Sequence, residues 1–448
     1  MQRLKVLAGV LTLALLLPAG AAFAQVDTGS ANFTRYVAFG DSLTAGFSSA
    51  ALVQTFQKNS YPILIFRQAT GRTTGFEQPL VSEPGFSSAA HFGILRLVSL
   101  VPGPVIAPTP GDAVPLNLTA PAYNNIAVPG ARLHDLLATT SGGLHNLILR
   151  GGPPQLQQGL ALQPTFATLW IGNNDVLAAA TSGIVIDGVT LTTAEQFDTE
   201  FRQAAAAIAG AGAKMAIANI PNVTSIPFVT TISRTQRLPT GQTVTLFGPN
   251  GQLQAGDFVL LSASADIANG RGFSPANPLA DSQVLSAAEV ATIQDRINHY
   301  NATISAVASD RGAALVDTNA ALRQLSTTGI SVGGVTYTSA FLTGGIFSYD
   351  GVHPTAFGYA YIANLFIDAI NDKFGGDIEP VNLLPFVFGT AKRAATGKSV
   401  FGDAGQVDFV FTNEARRNLL LSLGVPKWIV DNQPAPSNKP PRRRGGKH

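Results

Sequence analysis

Ser42, in Gly40-Asp41-Ser42-Leu43, and His353, in Asp350-Gly351-Val352-His353-Pro354, are the two residues of this chain best suited to nucleophilic chemistry. A serine hydroxyl is a poor nucleophile at neutral pH. It needs an imidazole to take its proton and a third group to hold that imidazole in the right tautomer. Asp350 stands three residues before His353 and could orient the ring if the segment turns, or it could simply cap a helix that follows. Attack on a carbonyl would create an oxyanion, which requires preorganised donors. Two polar blocks between the serine and the histidine offer them: Asn125-Ile126-Ala127-Val128-Pro129-Gly130 and Ile171-Gly172-Asn173-Asn174-Asp175. The backbone N–H groups of Ser42 and Gly130 and the Asn174 side-chain amide are the candidate donors. Gly130 is expected to be glycine because close approach to substrate leaves no room for a side chain. Asp41 and Asp175 are expected to hydrogen-bond backbone around the site loops.

Other chemistries find less support. His91, His134, His145, His299 and His448 form no pair with metal-ligand spacing such as His-x-x-x-His, so neither a metal nor a cofactor is expected. The elbow Gly-x-Ser-x-Gly is absent around Ser42, where Thr44 stands two positions on. Gly397-Lys398-Ser399 ends like a phosphate-binding loop, but Lys392 occupies the first glycine position.

The candidate residues must be positioned by regular elements, and the polar blocks follow apolar runs. Tyr36 to Phe39, Asn125 to Val128, Phe166 to Ile171, Ala213 to Ile220 and Ala313 to Val316 each read as a strand buried on both faces of a parallel sheet. Helical patterns lie between several of them. Ser286-Ala287-Ala288-Glu289 is a capping box opening a helix with Val290, Ile293, Ile297, Tyr300, Ile304 and Val307 on one face. Thr192-Thr193-Ala194-Glu195 opens another with Phe197, Phe201 and Ile208. A third follows His353, with Pro354 in its first turn and Tyr361, Leu365, Phe366 and Ile370 directed inward. Alternating strands and helices predict an α/β sandwich, in which sites form at the carboxyl ends of strands.

Two segments, near 48–122 and 225–285, are long, rich in Pro, Gly and Phe, and are expected to wall or cover the site, or to be plain surface insertions. In the second, Phe228, Phe247, Phe258 and Phe273 suggest either an apolar wall for an acyl chain or an ordinary satellite core. Beyond the main unit at 25–375, an extension at 376–432 has possible strands at Leu383 to Phe388 and Val407 to Phe411. It is too short for a membrane barrel.

The chain of 448 residues is 46% apolar and 12% charged, ample for a large core. Arg3 and Lys5, the apolar stretch Val6 to Leu17, and Ala22-Phe23-Ala24 read as a secretory signal cleaved after Ala24, with an uncleaved anchor as the alternative. The expected location is therefore secreted or periplasmic. The absence of cysteine excludes disulfides, a thiol nucleophile and a lipid-modified cysteine. Seven of the 29 basic residues lie in that signal or in the Pro- and Arg-rich tail at 433–448, so 22 bases face 27 acids elsewhere. The tail reads as disordered, and the mildly acidic remainder shows no nucleic-acid surface.

Taken together, the blocks holding Ser42, Gly130, Asn174 and His353 make the sequence resemble the SGNH, or GDSL, hydrolase family over about residues 33 to 373. Asn219-Ile220-Pro221-Asn222-Val223-Thr224 and Phe347-Ser348-Tyr349-Asp350 look like exported bacterial members, which act mainly on carboxylic esters including lipids. The resemblance implies a three-layer α/β/α sandwich with a five-stranded parallel sheet in flavodoxin-like order, interrupted by two long insertions. It implies an esterase or lipase with a small-molecule or lipid ester substrate and association with membrane surfaces through that lipid. A polysaccharide or cell-wall deacetylase of the same fold and a non-catalytic adhesion protein are the alternative readings.

Overall fold

The structure is a computed structural model that describes residues 26–88, 91–100, 103–118, 122–238, 240–387 and 409–432. The segment 1–24, expected to be a signal, and the tail at 433–448 lie outside the described residues. Four strands, β1 (Tyr36–Gly40), β2 (Phe166–Trp170), β3 (Lys214–Ala218) and β4 (Ala314–Val316), pair side by side in parallel in that order. Successive residues along them alternate between two cores. Val37, Phe39, Ala167, Leu169, Met215 and Ile217 face one side. Tyr36, Ala38, Phe166, Trp170, Ala216 and Ala218 face the other. Both faces are apolar because both are covered, which is why the strands read as unbroken apolar runs.

The first face is covered by α4 (Ala194–Gly210), through Phe197, Phe201 and Ile208, and by α5 (Ala287–Asp310), through Ile293, Ile297, Tyr300 and Ile304. The second is covered by α2 (Tyr61–Thr70) and α7 (Ala356–Phe374), whose Tyr61 and Phe366 rings stack with centroids 4.5 Å apart. This is the expected three-layer sandwich, with a sheet one strand smaller than expected. Asn125–Val128 lies beside β1 on the outer edge, yet only Asn125 forms a bridge, parallel to Ala38. Ala38 N–H donates to Asn124 O at 2.8 Å, while the Ile126 and Val128 N–H groups reach Ala38 O and Gly40 O at 3.2 Å. The next donor in that ladder, the Gly40 N–H, goes instead to Gln155 Oε1 at 3.0 Å, so the second bridge is not completed. Counting that edge, the spatial order is the flavodoxin-like one.

Local signals hold with two shifts. Ser286 and Glu289 form the capping box at the start of α5 as expected. The cap of α4 is Thr193 and not Thr192, whose hydroxyl is spent on Asp175 at 2.7 Å. The cap of α7 is Thr355, so Pro354 precedes the helix instead of entering its first turn, and Asp350 does not cap it.

The first insertion is not simply a lid, because α2 is a layer of the sandwich. Its later part forms a hairpin, Phe92–Ser99 with Val105–Pro110, to which Val410–Phe411 adds a third, parallel strand. Within 383–388, expected to be a strand, residues 384–387 are helical. Helix α8 (Asn413–Ser422) then runs across to the Gly130 loop. Among the described residues no helix is long and apolar enough to cross a membrane.

Candidate active site

Strand β1 ends at Gly40, and the chain turns at once into a short helix, α1 (Ser42–Ala45). A side chain on Gly40 would start 2.1 Å from Thr44 Oγ1 and 2.5 Å from Trp170 O, so only glycine lets the turn close this tightly. Asp41 caps α1 by accepting the Leu43 N–H at 2.9 Å, which leaves Ser42 at the first helical position, just beyond the strand end. His353 reaches the same point from the loop before α7. Its Nε2 lies 2.9 Å from Ser42 Oγ and its Nδ1 2.8 Å from Asp350 Oδ2. An ionised carboxylate only accepts, so Nδ1 carries the proton and Nε2 accepts from the serine hydroxyl. The three residues singled out from the sequence thus form one continuous chain of hydrogen bonds.

Asp350 is wholly buried and receives four further donors. The N–H groups of Val352 and His353 reach Oδ1 at 2.9 and 2.8 Å, Ser348 Oγ donates to Oδ1 at 3.1 Å, and the Ala50 N–H reaches Oδ2 at 2.8 Å. Burial alone would raise its pKa, but the His353 charge and these hydrogen bonds hold the carboxyl below the usual value. The Phe47 ring packs 4.8 Å from the imidazole and closes its other side.

The proposed oxyanion donors are arranged around the adjacent strand ends. Asn174 opens α3 (Asn174–Ser182) and is fully buried; its Nδ2 donates to Ala131 O at 2.9 Å, linking the Asn174 block to the Gly130 block. An amide nitrogen has two hydrogens, so one remains for a ligand. Neither the Ser42 nor the Gly130 N–H meets an acceptor among the described residues. Gly130 has φ +82°, and a Cβ there would lie 2.7 Å from Ser422 O at the end of α8. The left-handed backbone and the end of α8 are each enough to require glycine here, apart from any approach of substrate.

Asp41 and Asp175 brace the loops, as expected. Asp41 accepts from the Asn173 amide at 2.9 Å, and Asp175 accepts from the Leu133 N–H at 3.0 Å and the Thr192 hydroxyl. Burial pushes both carboxyls up to about 6 in spite of these bonds. Asn173, which sequence reasoning passed over beside Asn174, lines the cleft. Its adjacency to Asn174 was the only available signal.

A cleft of about 710 Å³, counting its open mouth, starts at Ser42 and His353. Its walls are apolar: Pro221, Val223 and Ile226 on one side, Leu322 and Leu325 of α6 (Thr318–Thr327) on another, and Leu365 of α7. None of Phe228, Phe247, Phe258 or Phe273 lines it. Phe228 is fully buried in the core and Phe258 and Phe273 pack against it, so the wall comes from α6, α7 and the Pro221–Ile226 segment, whose Ile226 is the second insertion's contribution. Among the described residues no group of three or more His, Asp or Glu side chains is placed to hold a metal ion.

Comparison with known families returns a match to the GDSL-like lipase/acylhydrolase model over residues 36–366. The chain belongs to that family. Membership makes it a hydrolase of the ester-cleaving class. No curated protein sequence matches. Among solved structures, an extracellular lipase from Streptomyces rimosus is similar at 15% identity, covering 75% of this chain and 98% of its own, with a TM-score of 0.33. An acetyl-xylooligosaccharide esterase from Geobacillus, in a mutant form, is similar at 11% identity, covering 75% of this chain and 93% of its own, with a TM-score of 0.33. A lipase/acylhydrolase from Enterococcus faecalis is similar at 14% identity over 57% of this chain and 78% of its own, with a TM-score of 0.26. The family assignment rests on the sequence match and not on these structural likenesses.

The raised carboxyl of Asp175 makes a prediction for stability. Its folded pKa of about 6 exceeds the ordinary 3.8, so its contribution is greatest below pH 4 and is lost as pH rises through 6. The stability of the wild type relative to Asp175→Asn should fall between pH 4 and 6.5, by on the order of a few kcal/mol, and stay flat above. Urea denaturation of both proteins across that range measures it; a difference independent of pH would contradict the assignment.

Proposed function

We propose that the protein is an exported serine carboxylic ester hydrolase that acts through an acyl-enzyme on Ser42. The observation that carries this reading is the buried chain from Ser42 Oγ through His353 to Asp350, at 2.9 and 2.8 Å. In the proposed reaction His353 Nε2 takes the Ser42 proton as Oγ attacks the ester carbonyl. The N–H groups of Ser42 and Gly130 and the Asn174 amide receive the oxyanion. The carbonyl–alkoxy bond then breaks, and the alcohol leaves with the proton from His353. Water, deprotonated by the same ring, hydrolyses the acyl-serine. No external cofactor enters this sequence.

A fluorophosphonate probe should label Ser42, and Ser42→Ala should be neither labelled nor active. An unlabelled wild type, or a Ser42→Ala protein of equal activity, would sink the proposal. Asn174→Ala should retain labelling but lose on the order of a hundred- to a thousandfold in kcat. A loss of twofold or less would remove Asn174 from the oxyanion hole.

The apolar cleft favours an acyl group longer than acetyl. In a p-nitrophenyl ester series, kcat/KM should rise from acetate towards medium chains. Acceptance of acetate alone would instead favour a deacetylase of sugar or cell-wall polymers, and no turnover of any ester a binding protein. Export is proposed from Arg3, Lys5, Val6 to Leu17 and Ala22-Phe23-Ala24. Intact-mass measurement of protein expressed in a bacterial host should find a secreted or periplasmic form beginning at Gln25; retention of Met1 in the exported protein would refute cleavage.

A further inference from the structure

Six residues beyond Ser42 the chain enters a two-residue turn that neither the functional blocks nor the reaction accounts for. Ser48 and Ala51 exchange backbone hydrogen bonds at 3.1 and 3.2 Å, and the residues between them, Ser49 and Ala50, have φ of +50° and +59°. Positive φ at both central positions is the geometry for which Asn-Gly is the usual pair, because other residues are strained in it. Here it is occupied by Ser-Ala, and both residues are almost completely buried. Strain held in a buried, non-glycine turn calls for an explanation in its contacts.

Those contacts converge on one place. Successive N–H groups in such turns form a concavity that receives anions. The Ser49 N–H donates to Ser348 Oγ at 2.8 Å, and the Ala50 N–H donates to Asp350 Oδ2 at 2.8 Å, the same oxygen that accepts His353 Nδ1. Ser348 Oγ passes its own hydrogen on to Asp350 Oδ1 at 3.1 Å. Two further bonds tie the turn to the acid loop: the Tyr349 N–H to Ser49 Oγ at 3.3 Å, and Ser48 Oγ to Pro354 O at 2.9 Å. From behind, the Leu95 N–H of the first-insertion hairpin donates to Ser49 O at 2.8 Å. The carboxylate thus has one oxygen shared between imidazole and turn, and the other held by its own loop and Ser348.

We propose that the Ser48–Ala51 turn, with Ser348 as its relay, is a positioning element for the acid of the triad: it fixes the carboxylate whose direction fixes His353. This rests on the esterase reading above. Neither Ser348 nor Ala50 lines the cleft; each acts through Asp350. The other ionisable groups around the Asp350–His353 pair are Asp41 and the buried phenols of Tyr359 and Tyr61, and none of them bonds Ser348 or the turn.

The test is steady-state hydrolysis of a p-nitrophenyl ester across pH by the full chain, with thermal melts alongside, for wild type, Ser348→Ala and Ser348→Thr. For Ser348→Ala, kcat should fall roughly tenfold, short of the hundredfold that a 1 Å misplacement can cost, while KM stays within about twofold. The acid limb of kcat/KM should move to higher pH, because a carboxylate that has lost a donor holds the protonated imidazole more strongly. Ser348→Thr keeps the hydroxyl and should recover both. A purely structural role for Ser348 would lower the melting temperature and leave the pH limb in place, and that result overturns the proposal. Should Ser348→Ala not fold, replacing Ala50 by its α-hydroxy acid deletes the N–H that reaches Asp350, besides weakening Ser49 O as the acceptor of the Leu95 N–H, and must produce the same two changes. Wild-type kinetics in that protein also overturn the proposal. If fluorophosphonate fails to label wild-type Ser42, the esterase reading falls and this one with it; if the wild type is labelled and the variants behave like it, only the positioning role falls.

Discussion

The structure depends on keeping one carboxylate ionised in a place that water does not reach. Asp350 is fully buried, and an unpaired charge there would be strongly unfavourable. It is tolerated because five donors surround its two oxygens, four from residues 348 to 353 and one from Ala50, three hundred positions earlier. The local four are supplied by a tight loop that any chain could form by itself. The fifth exists only when the first insertion and the loop before α7 have come together, so completing the acid's shell is inseparable from completing the fold. Ser42 depends on the result, since its hydrogen-bond partner is the ring that this carboxylate orients.

A second requirement is to hold loops at the ends of strands after the backbone ladder has run out. Polar side chains take over there. Gln155 bonds both the N–H and the carbonyl of Gly40 at 3.0 Å, Asn125 reaches Thr44 O at 2.8 Å, and Asn173 reaches Asp41. Gln155 takes the Gly40 N–H that the neighbouring edge leaves without a partner, and the two asparagines tie the turn beyond it to the adjoining loops. Polar blocks just beyond apolar runs are thus partly a mechanical necessity, and the chemistry occupies the few polar atoms that the bracing leaves free.

This explains how far the site could be read from the chain. The strands were legible because burial on both faces removes polar residues, and the Ser286 box because all of its partners lie within four residues. Ser42, Asp350 and His353 were legible as types, since few residues suit an acyl transfer. What escaped depended on contacts distant in sequence. Thr192 looks like a cap until Asp175 claims its hydroxyl. The phenylalanines of the second insertion look like an acyl wall, but α6, α7 and the segment from Pro221 to Ile226 furnish the apolar lining. Nothing near Gly130 in the sequence tells that Ser422, almost three hundred residues later, fills the space beside it. Ser49 and Ala50 carry no local sign of a positive-φ turn at all, because their residue types argue against one.

The three buried aspartates of the site show that surroundings, and not burial, divide their roles. Asp41, Asp175 and Asp350 are equally inaccessible, so desolvation works against the charge of each. Asp41 has two donors, Leu43 N–H and Asn173, and Asp175 has two, Leu133 N–H and Thr192; both carboxyls rise to about 6. Asp350 has five, one of them an imidazole that can itself become positive, and its carboxyl is lowered. In the proposed reaction the acid behind the histidine must stabilise a charge appearing on its neighbour and so stay ionised, and of the three it is the fully furnished carboxylate whose ionised form is favoured. The other two, able to gain a proton near pH 6, are suited to joining loops, where a hydrogen bond serves in either state. The sequence places three similar acids beside three similar turns, and the number of donors that the fold brings to each decides which one stands behind the histidine.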